Sequence, residues 1–228
     1  MQPTFLPWLG YFSLLESVDF FVFLDNVQFE VRSWQQRNRI IINNKESWLT
    51  VPVSLPFGRL TRVDQALINT EHFSGPKICK TLTRAYGNKK GFDFITSNIF
   101  KIFLDPPKNI SKFNVSLIKE IADALEVKTP FKLASEMNVS GRKGDLLLDI
   151  CKNLGASTYV SPVGSATYLD SYTGFLESGI NLEYQTFEHP IYSQGEIKFI
   201  PHLSVIDAIC NVGLKASKEM IKKGSGLK

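Results

Sequence analysis

The side chains in this sequence best suited to acid–base chemistry are a histidine and two aspartates. His189 is one of only three histidines, and Pro190 after it restricts the histidine backbone to extended geometry. An imidazole with a pKa near neutrality and a fixed tautomer can serve as a general base toward an attacking amine or hydroxyl, and Glu188, Asp207 or Asp25 could fix that tautomer. His189, Asp25 and Asp207 are therefore the predicted catalytic residues. The alternative for His189 is a histidine held in a structural loop by backbone bonds.

A second group of side chains is suited to a ligand with both a charged part and a ring. Arg37 and Asn38 closely follow Trp34, which places a fork of donors beside an aromatic face and suits a phosphate or carboxylate next to a base or sugar. All three tryptophans fall in such segments: Trp8, Trp34 and Trp48. The alternative is a structural hairpin face in which Arg37 pairs with Asp25 and Trp34 covers the core, because large aromatics are more often core residues than ligand platforms.

Neutral polar side chains complete the predicted binding set. Amide groups can hydrogen-bond hydroxyls and amides but are unsuited to proton transfer, so they are expected to orient a substrate. The remaining predicted substrate-binding residues are Gln2, Tyr11, Gln28, Tyr192 and Gln194.

The elements that position these residues begin with an apolar run and the loop ahead of it. Phe20–Leu24 is a continuous apolar stretch typical of a buried strand. The proline- and aromatic-rich loop Gln2–Trp8 leads into a helix and is of the kind that follows a strand. The order strand, loop, helix, strand predicts a βαβ unit, with this loop and Asp25 at the ligand edge of a parallel sheet. Its first strand would lie before Met1 and is expected to be missing or truncated.

The rest of the chain alternates between helical and strand-like segments. Arg32–Ile42 and Ser47–Val53, separated by a turn at Asn43-Asn44, predict a β-hairpin. Apolar spacing predicts helices over Lys77–Tyr86, Phe92–Phe103, Val115–Leu125, Gly144–Leu154 and Val205–Val212. Lys215–Lys223 is expected to be a solvated tail. These patterns predict an α/β fold with a mostly parallel sheet flanked by helices, as a single domain over 1–228 with a helical insertion at 70–125.

Composition narrows the classes of function. The formal charge of +4 is too small to indicate nucleic-acid binding, and the longest apolar stretches are far shorter than a membrane-spanning helix. A cytoplasmic protein is expected. The odd number of dispersed cysteines favours reduced core thiols, and the oligomeric state is left open.

Motifs of several enzyme classes are absent from the sequence. There is no His-x-x-x-His, Cys-x-x-Cys or paired aspartate motif, so no metal is expected. The absence of Gly-x-Gly-x-x-Gly, P-loop and Gly-x-Ser-x-Gly patterns argues against dehydrogenases, P-loop kinases and α/β-hydrolases.

Ordered motifs along nearly the whole chain resemble the WbqC-like family. They are Gln2-Pro3-x-x-Leu6-Pro7-Trp8-x-Gly10-Tyr11, Asp25-x-x-Gln28, Trp34-x-x-Arg37-Asn38, Trp48-Leu49-Thr50-Val51-Pro52, His189-Pro190-x-Tyr192-x-Gln194 and Pro201-x-Leu203-Ser204-x-Ile206-Asp207. The family usually begins with apolar residues ahead of the Gln-Pro pair, which agrees with a missing first strand.

The resemblance implies a role in bacterial surface polysaccharide and O-antigen biosynthesis. It points to a transferase that modifies a nucleotide-linked amino sugar, by transfer of an acyl or aminoacyl group to the amine from an activated donor. Two alternatives stay open. One is a nucleotidyltransferase-like enzyme, which the strand–loop–helix layout suggests, although this sequence lacks the phosphate-loop histidines of such enzymes. The other is a non-catalytic module that binds nucleotide sugars.

Overall fold

The computed structural model describes residues 1–227 of the chain. The strands are β1 (Phe21–Phe23), β2 (Arg37–Ile42), β3 (Lys45–Thr50), β4 (Val53–Ser54), β5 (Leu67–Ile68), β6 (Phe131–Leu133), β7 (Thr158–Pro162), β8 (Asn181–Phe187) and β9 (Ser225–Leu227). The α-helices are α1 (Leu9–Glu16), α2 (Gly75–Tyr86), α3 (Phe92–Phe94), α4 (Phe100–Leu104), α5 (Ile110–Ala124), α6 (Gly144–Leu154), α7 (Ala166–Leu169), α8 (Gly174–Glu177) and α9 (Val205–Gly224). A π-helical turn, Ile95–Ile99, joins α3 to α4, and short 3₁₀ turns occupy Gly58–Leu60, Ala134–Glu136 and Val163–Ser165.

The α/β class predicted from the sequence is confirmed, but the strands form several small sheets. Strands β1 and β6 pair in parallel, as do β7 and β8. Antiparallel pairs join β2 to β3, β4 to β5 and β8 to β9. The expected mostly parallel sheet is not seen among residues 1–227, because the two parallel pairs belong to separate sheets.

The predicted hairpin is confirmed, with its strands joined at Asn43-Asn44. Both asparagines have positive φ, 50° and 59°, as a two-residue type I′ turn requires, and asparagine tolerates that conformation better than most residues. In the resulting register Arg39 lies opposite Trp48, and Asn38 lies opposite Leu49.

Helix ends follow local capping chemistry. The Ser74 side chain accepts a hydrogen bond from the Lys77 amide at the start of α2, and Gly155 ends α6 in the left-handed conformation. Helix α5 begins at Ile110, earlier than predicted, because Asn109 caps it and the added first turn buries Ile110 in the core.

The chain's last helix is also longer than predicted. Lys215–Lys223 is helical rather than a solvated tail, because Ser217 and Ile221 are buried on its inner side. Gly213, expected to end the helix, has non-helical torsions (φ 84°) and kinks it instead.

A large hydrophobic core joins the opening loop to the central helices. Phe5 stacks on Phe113 of α5 at 6.1 Å and meets Phe103 of α4 edge-on at 6.3 Å. The fully buried Asn114 of α5 donates to the carbonyl oxygens of Pro3 and Gln35 at 3.0 and 2.8 Å. The central helices therefore hold the opening loop in place. The single domain and its helical insertion at 70–125 stay predictions.

Two further findings concern the membrane and the thiols. Among residues 1–227, no helix combines the length and the apolar character that crossing a bilayer requires. Cys79, Cys151 and Cys210 are buried free thiols, and burial raises the pKa of the Cys151 thiol to about 11. A thiol so rarely ionised is a poor nucleophile.

Candidate functional site

The β2–β3 hairpin has one face in the core and one face toward solvent. Asn38, Ile40 and Leu49 point inward and are buried. Because side chains alternate along a strand, Arg37 and Arg39 share the opposite face with Trp48. We call the group formed by Trp34, Arg37, Arg39 and Trp48 the arginine–tryptophan face.

The arginine–tryptophan face is compact and partly open. The Arg37 guanidinium carbon lies 4.2 Å from the Trp48 ring centroid, and that of Arg39 lies 5.5 Å from the Trp34 centroid. The two indoles are 5.5 Å apart and remain 46% and 47% exposed. Exposed tryptophans flanked by cations provide stacking surface and positive charge at one place.

Both arginines retain an unused donor. Arg37 Nε and Arg39 Nε are buried and have no hydrogen-bond partner in the protein. Because these Nε atoms are enclosed, an anionic ligand would be met by the terminal amino groups of the guanidinium forks. Arg39 otherwise contacts Glu46 at 3.3 Å and donates through Nη2 to the His202 carbonyl oxygen at 3.2 Å.

A cluster of aromatic rings adjoins that face at His202. The Trp8 indole lies parallel to His189 at 6.0 Å and edge-on to His202 at 4.8 Å, and the two imidazoles are 5.3 Å apart. Tyr192 and Phe199 close the far side of His189, at 6.2 and 5.4 Å. We call these residues the histidine cluster. Through His202 and Arg39, it is continuous with the arginine–tryptophan face.

The environment of His189 keeps its imidazole neutral. Burial lowers the pKa of His189, and the neighbouring His202 lowers it further. A hydrogen bond with the Pro190 carbonyl oxygen acts in the opposite direction and raises it. Because a carbonyl can only accept, the 3.0 Å contact from Nδ1 places the proton on Nδ1 and leaves a lone pair on Nε2. The predicted carboxylate partner is wrong: a backbone carbonyl, rather than Glu188, Asp207 or Asp25, orients this ring.

His202 is similarly kept neutral. Burial lowers its pKa, and the positive charge of Arg39 lowers it further. Its backbone has a φ of 60°, an uncommon conformation for a residue other than glycine, and its carbonyl oxygen is held by Arg39.

Asp207 is completely buried, and its carboxylate is bonded to residues other than His189. Its carboxylate accepts hydrogen bonds from Tyr86 and Tyr192 hydroxyls, both at 2.9 Å, and from the Gln194 amide at 3.1 Å. Burial raises the pKa of Asp207, while these donors and the charge of Lys89 act in the opposite direction. Asp207 therefore positions Tyr192, whose ring packs against His189.

A polar cavity of about 220 Å³ opens beside Asp207. Its lining combines cationic and amide side chains: Asn43, Asn44, Arg84, Asn88, Lys89, Gln194 and Asn211. This composition suits an anionic or hydroxyl-rich group. Ile41, which shares a strand face with Arg39, also lines it.

Asp25 lies apart from the histidine cluster. It is buried after β1 and accepts from the Ser135 amide and hydroxyl at 2.8 and 2.7 Å, with Ser111 at 3.4 Å. The alternative of a structural hairpin face predicted that Arg37 pairs with Asp25. This pairing is not seen, because the Arg37 guanidinium lies over the Trp48 ring. Asp25 thus joins β1 to the segment after β6.

Three of the predicted binding residues hold the opening loop. Asn38 Nδ2 donates to the Phe5 and Leu6 carbonyl oxygens at 3.1 and 2.7 Å, and the buried Tyr11 hydroxyl donates to the Gln2 carbonyl oxygen at 3.0 Å. The Gln2 side chain accepts from Gln35 at 2.8 Å. The Asn38 bonds restrain Leu6, whose φ of 43° is strained for a branched residue.

Gln28 lies outside this group. Its amide donates to the Arg59 carbonyl oxygen at 2.7 Å on an exposed loop. Its recorded side-chain hydrogen bond is thus made outside the hairpin face and the histidine cluster.

The sequence interpretation missed two members of the site. Arg39 follows Arg37 by two positions in a strand, so the alternation of side chains could have identified it. His202 was passed over because its approach to Trp8 depends on packing between segments far apart in the chain. Among residues 1–227, no group of three or more histidine, cysteine, aspartate or glutamate side chains is arranged to hold a metal ion.

Comparisons with known proteins identify similar chains. A family model described as the WbqC-like protein family matches residues 2–219. A Mycobacterium tuberculosis protein named "Uncharacterized protein Rv1507c" is 28% identical over 218 residues, which cover 95% of this chain and 94% of that protein. No solved structure gives a significant match.

Proposed function

Because the chain belongs to the WbqC-like protein family, we propose that it is a transferase of bacterial surface polysaccharide (O-antigen) biosynthesis. In this proposal it acts in the cytoplasm on a nucleotide-linked amino sugar and transfers an acyl or aminoacyl group to the sugar amine. The observation that carries the proposal is the pair of arginine guanidinium groups packed on half-exposed tryptophan rings, beside a neutral histidine.

The arginine–tryptophan face supplies the binding part of the proposal. The diphosphate accepts hydrogen bonds from Arg37 and Arg39, whose planar forks suit phosphate oxygens. The half-exposed rings of Trp34 and Trp48 pack on the base or sugar.

His189 supplies the proton-transfer part. Its Nε2 lone pair accepts a proton from the sugar amine as the amine nitrogen bonds to the carbonyl carbon of the donor. The bond from that carbon to the donor's leaving group breaks, and the leaving group takes the proton. His202 links His189 to Arg39, because the His189 and His202 rings are 5.3 Å apart and Arg39 donates to the His202 carbonyl oxygen.

Binding and turnover of purified variants test the proposal. The probes are a nucleoside diphosphate, its amino-sugar conjugates, and acyl-coenzyme A or aminoacyl donors, with affinity measured by calorimetry and product by mass spectrometry. Arg37→Gln is expected to weaken binding of the nucleoside diphosphate by about 10- to 150-fold, the value of a charge-assisted hydrogen bond. Arg59→Gln is the matched control, because Arg59 is exposed on the 3₁₀ turn Gly58–Leu60 and is not part of the arginine–tryptophan face.

The role of His189 is tested separately. His189→Ala is expected to lower turnover by about 10²- to 10⁴-fold with a similar dissociation constant. If no conjugate in the panel binds to the parent protein, or if Arg37→Gln binds as tightly as the parent and Arg59→Gln, the proposed site is wrong.

A non-catalytic binding module is the second candidate, and the packing of His189 favours it. The ring lies between Trp8 and Tyr192 and is bonded to its own loop, an arrangement that a structural histidine also has. Tight binding of a conjugate without product from any donor, unchanged in His189→Ala, would favour this candidate.

The nucleotidyltransferase alternative has less support. The space above Gly10 at the start of α1 is filled by the Trp8 indole, since a Cβ on Gly10 would lie 2.3 Å from Trp8 Cη2. A nucleotide therefore has no room to pack on this glycine.

A further inference from the structure

The polar cavity beside Asp207 is separate from the site proposed above. None of the side chains that line it belongs to the arginine–tryptophan face or to the histidine cluster. It lies where the tip of the β2–β3 hairpin meets the end of α2 and the middle of α9, which contribute Asn43, Arg84 and Asn211. Its 220 Å³ has room for about seven water molecules at ~30 Å³ each. The cavity can therefore hold a molecule larger than a bare ion.

The buried side of this cavity is already hydrogen-bonded within the protein. Asp207 accepts from the Tyr86 and Tyr192 hydroxyls and from the Gln194 amide. The Gln194 side chain is in turn fixed by the backbone of Ile200, donating to its carbonyl oxygen at 2.9 Å and accepting from its amide at 2.8 Å. Because three donors hold the completely buried Asp207 carboxylate, its negative charge is enclosed rather than presented to a ligand.

The outer side of the cavity carries cations without a counterion. Arg84 and Lys89 both line it, and they take part in none of the ion pairs formed among residues 1–227. Asp207, the acidic side chain of the lining, pairs with neither of them. Two like charges at one cavity repel each other, so an anion placed between them is favoured by both.

The turn that carries Asn88 and Lys89 is held in place by the helices on either side of it. The Lys89 amide donates to the Tyr86 carbonyl oxygen of α2 at 2.8 Å, and the Gly91 amide donates to the Cys210 carbonyl oxygen of α9 at 2.9 Å. The donors are thus presented from an ordered backbone, which reduces the entropy that a ligand loses together with the protein on binding.

We propose that this cavity binds a small sugar phosphate, at a site that is independent of the transferase reaction proposed above. A phosphate monoester carries a charge of about −1.5 to −2 at neutral pH and three acceptor oxygens. This matches the cations of Arg84 and Lys89, with the Asn88 amide beside them. The amides of Asn43 and Asn44 suit the hydroxyls of the sugar, because an amide can both donate to and accept from a hydroxyl.

Calorimetry with four kinds of probe tests the class of ligand. The probes are glucose 6-phosphate with glucose 1-phosphate, inorganic phosphate, glucose, and glucuronate, which has a carboxylate in place of the phosphate. We expect a sugar phosphate to bind more tightly than inorganic phosphate, and glucose and glucuronate to bind about 10-fold more weakly still. Absence of binding by both sugar phosphates, or equally tight binding of glucuronate or inorganic phosphate, would overturn the inference.

Variants of the two cations test the site. Arg84→Gln and Lys89→Met are each expected to weaken binding of the sugar phosphate by about 10- to 150-fold, the value of a charge-assisted hydrogen bond. The matched controls are Lys80→Gln, one turn earlier on α2, and Lys90→Met, the next residue of the turn. Both are exposed and lie outside the lining. Equal affinities of the cavity variants and their controls would place the ligand elsewhere and refute the site.

Nuclear magnetic resonance locates the ligand in the parent protein without any substitution. Titration with the sugar phosphate should shift the backbone amide signals of Asn88 and Lys89 and leave the indole N–H signals of Trp34 and Trp48 in place. Shifts confined to the indoles would assign the ligand to the arginine–tryptophan face and overturn the inference. Because Arg37 lies outside the cavity, Arg37→Gln should bind the sugar phosphate as the parent does, so this site and the transferase site can fail separately.

Discussion

The hydroxyls of Tyr86 and Tyr192 make unequal sets of bonds, so their removal should have unequal effects. Both donate to the Asp207 carboxylate at 2.9 Å. The Tyr86 hydroxyl additionally accepts from the Ile41 amide of β2 at 3.1 Å. Tyr192→Phe therefore removes one bond to a buried carboxylate, whereas Tyr86→Phe removes that bond and leaves a buried amide without an acceptor.

The expected costs follow from these bonds. A hydrogen bond to a charged group contributes about 1.5–3 kcal/mol, and a buried donor left unpaired costs about 1–3 kcal/mol more. We expect Tyr192→Phe to lower the free energy of unfolding by about 1.5–3 kcal/mol and Tyr86→Phe by about 2.5–6 kcal/mol. Urea denaturation at neutral pH measures both, with the slope of the transition showing that the unfolded states are comparable.

The double variant adds a check on the shared carboxylate. Because both hydroxyls serve Asp207, the two effects should not simply add. Equal costs for the two single variants, or a larger cost for Tyr192→Phe, would refute the role assigned to Tyr86 as the bridge between Asp207 and the hairpin.

Three other predictions concern the amino terminus, the opening loop and one glycine. The pKa of the Met1 amine is lowered by burial from 8.0 to about 5 in the folded protein, so between these values the unfolded chain binds the extra proton. The free energy of unfolding should therefore rise by about 3 kcal/mol from pH 5 to pH 8. Acetylation of the amine should abolish this part of the pH dependence of urea unfolding, and an unchanged slope would contradict the burial of the amine. Asn114→Leu leaves the buried carbonyls of Pro3 and Gln35 without their donor, and calorimetry should show a loss of about 2–6 kcal/mol; a loss within the error of the measurement would count against this anchor. Gly91→Ala should destabilise the protein by more than 1 kcal/mol in urea titration, because its Cβ would lie 1.9 Å from the Ile209 carbonyl oxygen; Gly164→Ala, which meets nothing within 4 Å, is the control, and equal effects of the two would be the contrary result.

Local signals predicted those elements whose ends are determined by nearby residues. Helix α6 was predicted with its observed bounds, because apolar spacing and Gly155 define it within the segment itself. The hairpin was predicted from Asn43-Asn44 and the flanking strands for the same reason. The extent of α9 was not, because the burial of Ser217 and Ile221 depends on tertiary packing that no local pattern encodes.

In the candidate site, too, contacts between near neighbours in sequence were predicted and contacts between distant segments were not. Trp34, Arg37 and Trp48 were predicted as one group and lie together, because a hairpin brings near neighbours in sequence into contact. Asp25 was grouped with His189 on the expectation of one sheet edge, whereas its partner is Ser135, far along the chain. The roles of Asn38 and Tyr11 in holding the opening loop also depend on such distant pairings.

The division of the β2–β3 hairpin into two faces has a consequence for evolution and design. Substitutions at Arg37, Arg39 and Trp48 change a surface that the core does not depend on, whereas substitutions at Asn38, Ile40 and Leu49 disturb packing and the opening loop. Relatives could therefore diverge in ligand preference at Arg37, Arg39 and Trp48 while conserving the inward positions between them. A library restricted to the outer positions would explore new specificities on an intact scaffold.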